Sequence, residues 1–317
     1  MKNHQLKDRN VSGINKNIIA TLAYFDVFNY PLTAGEIFLF LGDKCDNEAF
    51  NATLSHLLIT DSVYKFDGFY TLKNDPNIAI RRQEGNSKAA ELIKIAEKVG
   101  HILIRFPYVR GIAISGSLSK NFADDESDID LFIITAKNRL WIARTLLHML
   151  KKLTFLVNKE HFFCMNYFID EDGLEIVEKN IYTATEIVTL IPLEGDITFE
   201  KFYSVNAWTT TYLPNNYMRV ATARPLRNTG LKRLIELAFN NKLGNAIDNM
   251  LRNITASRWL KKTLQKRVNM KGIVMGMSAT KHFAKPDPVN FQHKLIRRYE
   301  SRVNELLHDT ESTLAHV

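Results

Sequence analysis

Residues 111–135 read GIAISGSLSKNFADDESDIDLFIIT. An apolar run, Ile112-Ala113-Ile114, leads into Ser115-Gly116-Ser117. Ten residues follow, several acidic or small and only Phe122 strongly β-forming. Then Asp128-Ile129-Asp130 runs straight into Leu131-Phe132-Ile133-Ile134. The pattern predicts a strand, a phosphate-gripping turn with a short helix, an acidic loop, and a second strand carrying two carboxylates. The segment 118–125 is too short for more than a helical turn or two.

Side chains alternate along a strand, so Asp128 and Asp130 share a face while Ile129 points into the sheet. Two residues of extended chain place the carboxylates roughly 6.6 Å apart. At an effective dielectric near 20 they repel by about 2.5 kcal/mol, which calls for a counter-cation. A hard divalent ion with oxygen ligands, Mg²⁺ for preference, relieves the repulsion and holds nucleotide phosphates at the same time. Gly116 lets backbone approach a phosphate closely, and Ser117 adds a hydroxyl and amides at a helix start. An SGS turn alone is a common strand exit, and an isolated Asp-x-Asp is usually a solvated strand end. Their order and spacing together carry the signal.

That combination resembles the DNA polymerase beta-like nucleotidyltransferase superfamily: an apolar strand, Gly-Ser, a gap of this size, then Asp-apolar-Asp on the next strand. The resemblance covers residues 112–134 and extends more loosely to about 193. It implies an α/β (α+β) nucleotidyltransferase core with a mixed sheet. It further implies that Gly116 and Ser117 hold the β- and γ-phosphates of an NTP, with Asp128 and Asp130 binding one or two Mg²⁺ ions. Transfer of an NMP to a hydroxyl acceptor would release pyrophosphate. Active members carry a third carboxylate on the following strand, which here reads Phe162-Phe163-Cys164-Met165-Asn166-Tyr167-Phe168-Ile169. Asn166 cannot act as a base. Asp170, at the strand end with the facing of Asn166, is the expected third catalytic residue, with Glu171 and Glu186 as alternatives. If none serves, the chain reads as a non-catalytic nucleotide-binding or partner-binding protein.

The rest of the chain frames this core. Its 317 residues, 45% hydrophobic, suffice for two or three domains. Residues 1–13 are polar, lack a signal-peptide core and read as a flexible leader. No apolar stretch reaches membrane length, so no membrane partner and a cytoplasmic location are expected; Cys45 and Cys164 suggest no disulfide framework. Residues 14–75 predict three helices and a hairpin. A capping box at Thr33-Ala34-Gly35-Glu36 opens the second helix, Asp46 caps the third, and Asp67-Gly68 makes the tight turn. That pattern resembles a winged helix. It holds four Lys, no Arg and eight Asp or Glu, however, so it starts with a field that repels duplex DNA. A protein-contact or substrate-positioning role is expected instead of a transcription factor's.

The core is read as residues 76–200. It includes a helix on Leu92, Ala96, Val99 and Leu103, another from Trp141 to Leu153, and a capped helix at 180–188. Arg139 and Arg144 lie where they could reach a phosphate or simply pair structurally. The stretch around Asn206 and Trp208 is expected to give aromatic packing beneath the site. Residues 201–317 read as a basic helical domain. From Arg219 onward there are 19 Lys or Arg against seven Asp or Glu, while the chain as a whole is only +8. The surplus is either a solvated face or a field that draws an anionic acceptor. The acceptor itself is not legible, and no zinc-ligand spacing occurs among the histidines.

Overall fold

The computed structural model describes residues 2–154, 164–216, 223–226, 229–266, 275–288 and 291–314. Helix α1 (Lys2–Asp26) begins inside the span expected to be a leader. Residues 2–12 contain neither Pro nor Gly, so nothing in them interrupts the helix. A two-residue strand β1 (Leu32–Thr33) precedes α2 (Ala34–Leu39), where the Thr33 side chain accepts from Glu36 N and Glu36 answers the Thr33 N–H at 2.8 Å. Helix α3 (Asn47–Ile59) is capped by Asp46, which accepts from Ala49 N. Strands β2 (Tyr64–Phe66) and β3 (Phe69–Thr71) turn at Asp67 and Gly68, both at positive φ as a two-residue hairpin turn requires. β1 pairs with β3, giving a small antiparallel sheet of order β1-β3-β2. Its hydrophobic core gathers Ile18, Leu22, Phe25, Leu54 and Leu57.

The long α4 (Asn77–Leu103) leads to β4 (Val109–Ile114), then β5 (Asp130–Thr135), α5 (Leu140–Thr154) and β6 (Cys164–Asp170). After these come α6 (Ile181–Thr189), β7 (Ile191–Glu194), α7 (Asp196–Val205), α8 (Gly230–Phe239) and α9 (Lys242–Leu264). Strands β8 (Met275–Ala279) and β9 (Phe283–Pro288) and helix α10 (Phe291–Leu314) close the described chain. Six strands form one mixed sheet in the order β7-β4-β5-β6-β9-β8, in which the β5–β6 pair is parallel and the others antiparallel. Both faces are covered, as the unbroken apolar runs of β4 and β5 demand. Ile112, Ile114, Leu131 and Ile133 enter the core under α4 and α5, while Ala113, Phe132 and Ile134 pack with Phe199 and Phe202 of α7.

The C-terminal part is not a helical unit apart from this sheet. Helix α7 runs across the expected boundary at residue 201, and the β8–β9 hairpin extends the sheet beyond β6. Gly276, Pro286 and Pro288 disguise that hairpin, since such residues ordinarily weaken a strand reading and are tolerated near a sheet edge. Helix α10 returns to the N-terminal helices: Leu295 joins their core, and the Tyr299 ring meets Tyr24 edge-on at 5.6 Å.

One buried cation ties the N-terminal helices to the sheet unit. Arg82 of α4 donates to Pro31 O at 3.0 Å and to Glu36 Oε1 at 2.7 Å, and its guanidinium lies 3.8 Å from the centre of the Tyr30 ring. Losing Arg82 leaves Pro31 O without its donor, while Glu36 stays partly exposed and keeps the Thr33 N–H. Arg82→Ala is expected to cost about 1–3 kcal/mol in urea unfolding, whereas Arg81→Ala, on the exposed neighbour, should change stability by less than about 0.5 kcal/mol.

Candidate functional site

Antiparallel pairing of β4 with β5 brings the Ser115-Gly116-Ser117 turn beside Asp130. Ser115 N donates to Asp130 O at 2.9 Å, continuing the ladder one residue past β4. Gly116 then turns into the left-handed region at φ +70°, and a Cβ placed there would lie 2.6 Å from Asp130 Oδ2. Glycine is therefore required twice over, by conformation and by the carboxylate against it. The expected short helix is a single 3-10 turn, Leu118–Lys120, which ends at Asn121 in the left-handed region. Three residues supply little dipole, so any grip on an anion comes from individual N–H and O–H groups rather than from a helix.

Neighbouring elements hold this turn firmly. Ser119 Oγ donates to Gly116 O at 2.9 Å, and Lys120 Nζ bridges Gly116 O at 3.1 Å and Glu186 Oε1 at 2.8 Å. The Tyr30 hydroxyl donates to Lys120 O, linking the N-terminal helices to the turn. Phe122 packs where a side chain at Gly85 of α4 would stand.

Asp130 opens onto a cleft of about 240 Å³. Ser115 and Gly116 form one wall with it, Phe132 and Tyr167 the floor, and Glu186 of α6 faces them. Burial, then the charges of Asp128 and Glu186, push the Asp130 carboxyl up to about 6, against the bond from the Cys164 thiol and the attraction of Lys120. Asp128 lies just before β5, exposed to solvent, and borders the acidic loop of Asp124, Asp125 and Glu126. Ile129 between the two carboxylates is fully buried with Leu131 and Ile133, so the expected alternation begins one residue before the strand proper.

The third-carboxylate position is where sequence and structure part. In the parallel β5–β6 register Asp130 stands opposite Cys164, and Asp170 stands opposite Thr135. Asp170 is thus about 16 Å along the strand from the level of Asp130. Its fully buried carboxylate accepts from Asn138 N at 2.9 Å and Asp172 N at 3.1 Å, and meets His282 Nδ1 at 3.0 Å. That is a tie between loops at the far end of the sheet. Glu171, which donates its N–H to Thr135 O, lies at that same end. Of the three acids weighed, Glu186 alone lines the cleft with Asp130. Strand β6 also carries one extra residue: Leu131 faces Met165 and Phe132 faces Tyr167, with Asn166 passed over. The bulge brings Tyr167 onto the cleft floor. Opposite Asp130, burial and the neighbouring Asp130 charge push the Cys164 thiol up to about 12, so it stays a proton donor.

Neither arginine of the α5 region reaches the cleft. Arg139 is buried and donates to Asn245 Oδ1, Phe239 O and Asn138 O, while Arg144 lies 4.7 Å from the centre of the Trp259 ring. Asn206, in the stretch expected to give only aromatic packing, has a more specific task. Its amide donates to Leu174 O and Phe202 O and accepts from Ile176 N and Trp208 Nε1, pinning the loop that brings Ile176 and Glu178 to the cleft. The sequence marks it only as a polar residue inside an aromatic run.

Among the described residues, no three His, Cys, Asp or Glu side chains are gathered closely enough to hold a metal ion by themselves, and no helix is long and apolar enough to cross a membrane. Asp130 and Glu186 line the cleft, and Asp128 stands just before them at the acidic loop; such hard oxygens suit a hard cation, with Asp130 held above its usual range first by burial and then by its two acidic neighbours. Comparison with protein-family models, with curated proteins and with solved structures yields no match.

The Gly116 constraint is directly measurable. Gly116→Ala should destabilise the chain by about 1–3 kcal/mol in urea unfolding, through strain at positive φ and the clash with Asp130. Gly35→Ala, where a Cβ meets nothing within 4 Å, should be neutral or stabilising by up to about 1 kcal/mol.

Proposed function

We propose that this chain is a Mg²⁺-dependent nucleotidyltransferase of the DNA polymerase beta-like kind, moving an NMP from an NTP to a hydroxyl acceptor. The observation that carries the reading is the left-handed Gly116 turn pressed against Asp130, at the ends of adjacent strands and facing Glu186 across one cleft. The backbone at Gly116 and the hydroxyl and amide of Ser117 hold the β- and γ-phosphates. Asp130 and Asp128 supply the carboxylates for a cation, which would offset the burial and the like-charge repulsion that raise the Asp130 carboxyl. Mg²⁺ bound with the nucleotide would neutralise phosphate charge and align the displacement.

The acceptor oxygen forms a bond to the α-phosphorus as the bond to the β-phosphate oxygen breaks, and pyrophosphate leaves. Glu186 takes the acceptor's proton, which assigns to α6 the carboxylate expected on β6. Lys120, paired with Glu186, limits the negative charge that gathers as the phosphates arrive. The cleft floor of Phe132 and Tyr167, with Phe202 and Phe291 nearby, favours a compact acceptor with an apolar portion over a polynucleotide end.

A specific observation favours a second reading, a nucleotide-binding protein without turnover: the partner strand offers Cys164 rather than a carboxylate at the level of Asp130. Incubation with α-labelled NTPs, Mg²⁺ and a panel of hydroxyl compounds separates the two. Turnover predicts label transfer with pyrophosphate release, reduced about 10²–10⁴-fold in Glu186→Gln. Nucleotide binding with no pyrophosphate under any acceptor supports the second reading. Absence of any NTP binding, or full activity in Asp130→Asn, removes both.

A further inference from the structure

The basic surplus of the C-terminal region is not absorbed by the cleft. Between residues 229 and 266, all of them described, the exposed charges are Arg233, Lys242, Arg258, Lys261, Lys262 and Lys266. Both acids of this stretch turn inward. Glu236 forms a two-pronged pair with Arg110 at 2.9 and 2.7 Å, and buried Asp248 accepts from Ile142 N. The outer surface of α8 and α9 therefore carries positive charge alone.

That same surface is apolar where a solvated helix would be polar. Leu231, Leu234 and Leu237 recur at helical spacing on the outer side of α8, at 68%, 65% and 79% exposure. On α9 the buried side is marked by Gly244, Asp248 and Trp259. Leu243, Met250 and Leu260 fall on the opposite side and are likewise exposed. Lys232, which a surface helix would be expected to expose, is buried and donates to Ile104 O and Val109 O, anchoring α8 with its leucines outward. Large exposed apolar patches mark interaction surfaces.

We propose that the α8–α9 face docks on an anionic lipid surface, its leucines entering the boundary between headgroups and acyl chains and its lysines meeting the headgroup charge. The charge pattern selects this occupant. A second copy applied to the same face would oppose lysine to lysine, whereas anionic lipid complements every exposed charge and takes up the leucines. Such a helix pair lies on a membrane and needs no spanning stretch. The expectation of no membrane partner followed from the absence of a spanning stretch alone.

Vesicle sedimentation of the full chain tests this, with vesicles of phosphatidylcholine alone and with about one-third phosphatidylglycerol. The chain should sediment with the phosphatidylglycerol vesicles and not with phosphatidylcholine, and binding should weaken as salt rises. Lys242→Gln/Lys261→Gln, on the side of α9 that carries Leu243 and Leu260, should weaken it about thirty-fold, at about 1 kcal/mol per basic residue. Leu234→Ser/Leu260→Ser should weaken it at least ten-fold. All four residues are exposed, so the melting temperature serves as the folding control. Equal binding to both vesicle types, no binding to either, or a concentration-dependent dimer that the leucine substitutions abolish in place of vesicle binding would overturn the proposal.

Discussion

Everything at the cleft depends on one close approach, that of the Gly116 backbone to the Asp130 carboxylate. No side chain fits between them, so the turn that ends β4 and the acid that begins β5 form a single object. The ladder bond from Ser115 N to Asp130 O fixes their level, and the 3-10 turn after Ser117 is held by Ser119, Lys120 and the Tyr30 hydroxyl. A carboxylate held this way has few routes to solvation, and two further acids stand near it. The Lys120 ammonium, between Gly116 O and Glu186, supplies positive charge within the chain itself.

The N-terminal helices belong to this arrangement rather than sitting beside it. Tyr30 reaches the turn, Arg82 reaches back from α4 to Pro31 and Glu36, and α10 closes over α1 through Leu295 and Tyr299. These ties pack the unit against the turn and the sheet. The exposed positive charge of α8 and α9, by contrast, faces away from its own core, where Lys232 and Trp259 are buried.

Much of this was legible because local rules decided it. The capping box at Thr33, the Asp46 cap, the Asp67-Gly68 turn and the alternation from Ile129 to Ile134 depend on neighbours in sequence and stand as those rules require. What was not legible depends on register and on distant pairing. Alternation gives Asp170 its facing, but only the parallel pairing of β5 with β6 shows which end of the strand adjoins Asp130. Glu186 could be named from sequence but not placed, since its position depends on how α6 packs across the cleft. The β8–β9 hairpin was hidden by its glycine and prolines, and the helical start of α1 within residues 1–13 was hidden by their polarity. Asn206 carries four hydrogen bonds that no periodicity announces.

In the proposed function, Asp130 and the Gly116 turn make one site for a divalent cation together with a nucleotide. Electron paramagnetic resonance titration of Mn²⁺, as a reporter for Mg²⁺, tests it most directly. One or two bound ions per chain are expected when ATP or another NTP is present, with weaker binding without nucleotide and loss of nucleotide-dependent binding in Asp130→Asn. Mn²⁺ binding that ignores nucleotide, or that survives Asp130→Asn unchanged, would contradict it.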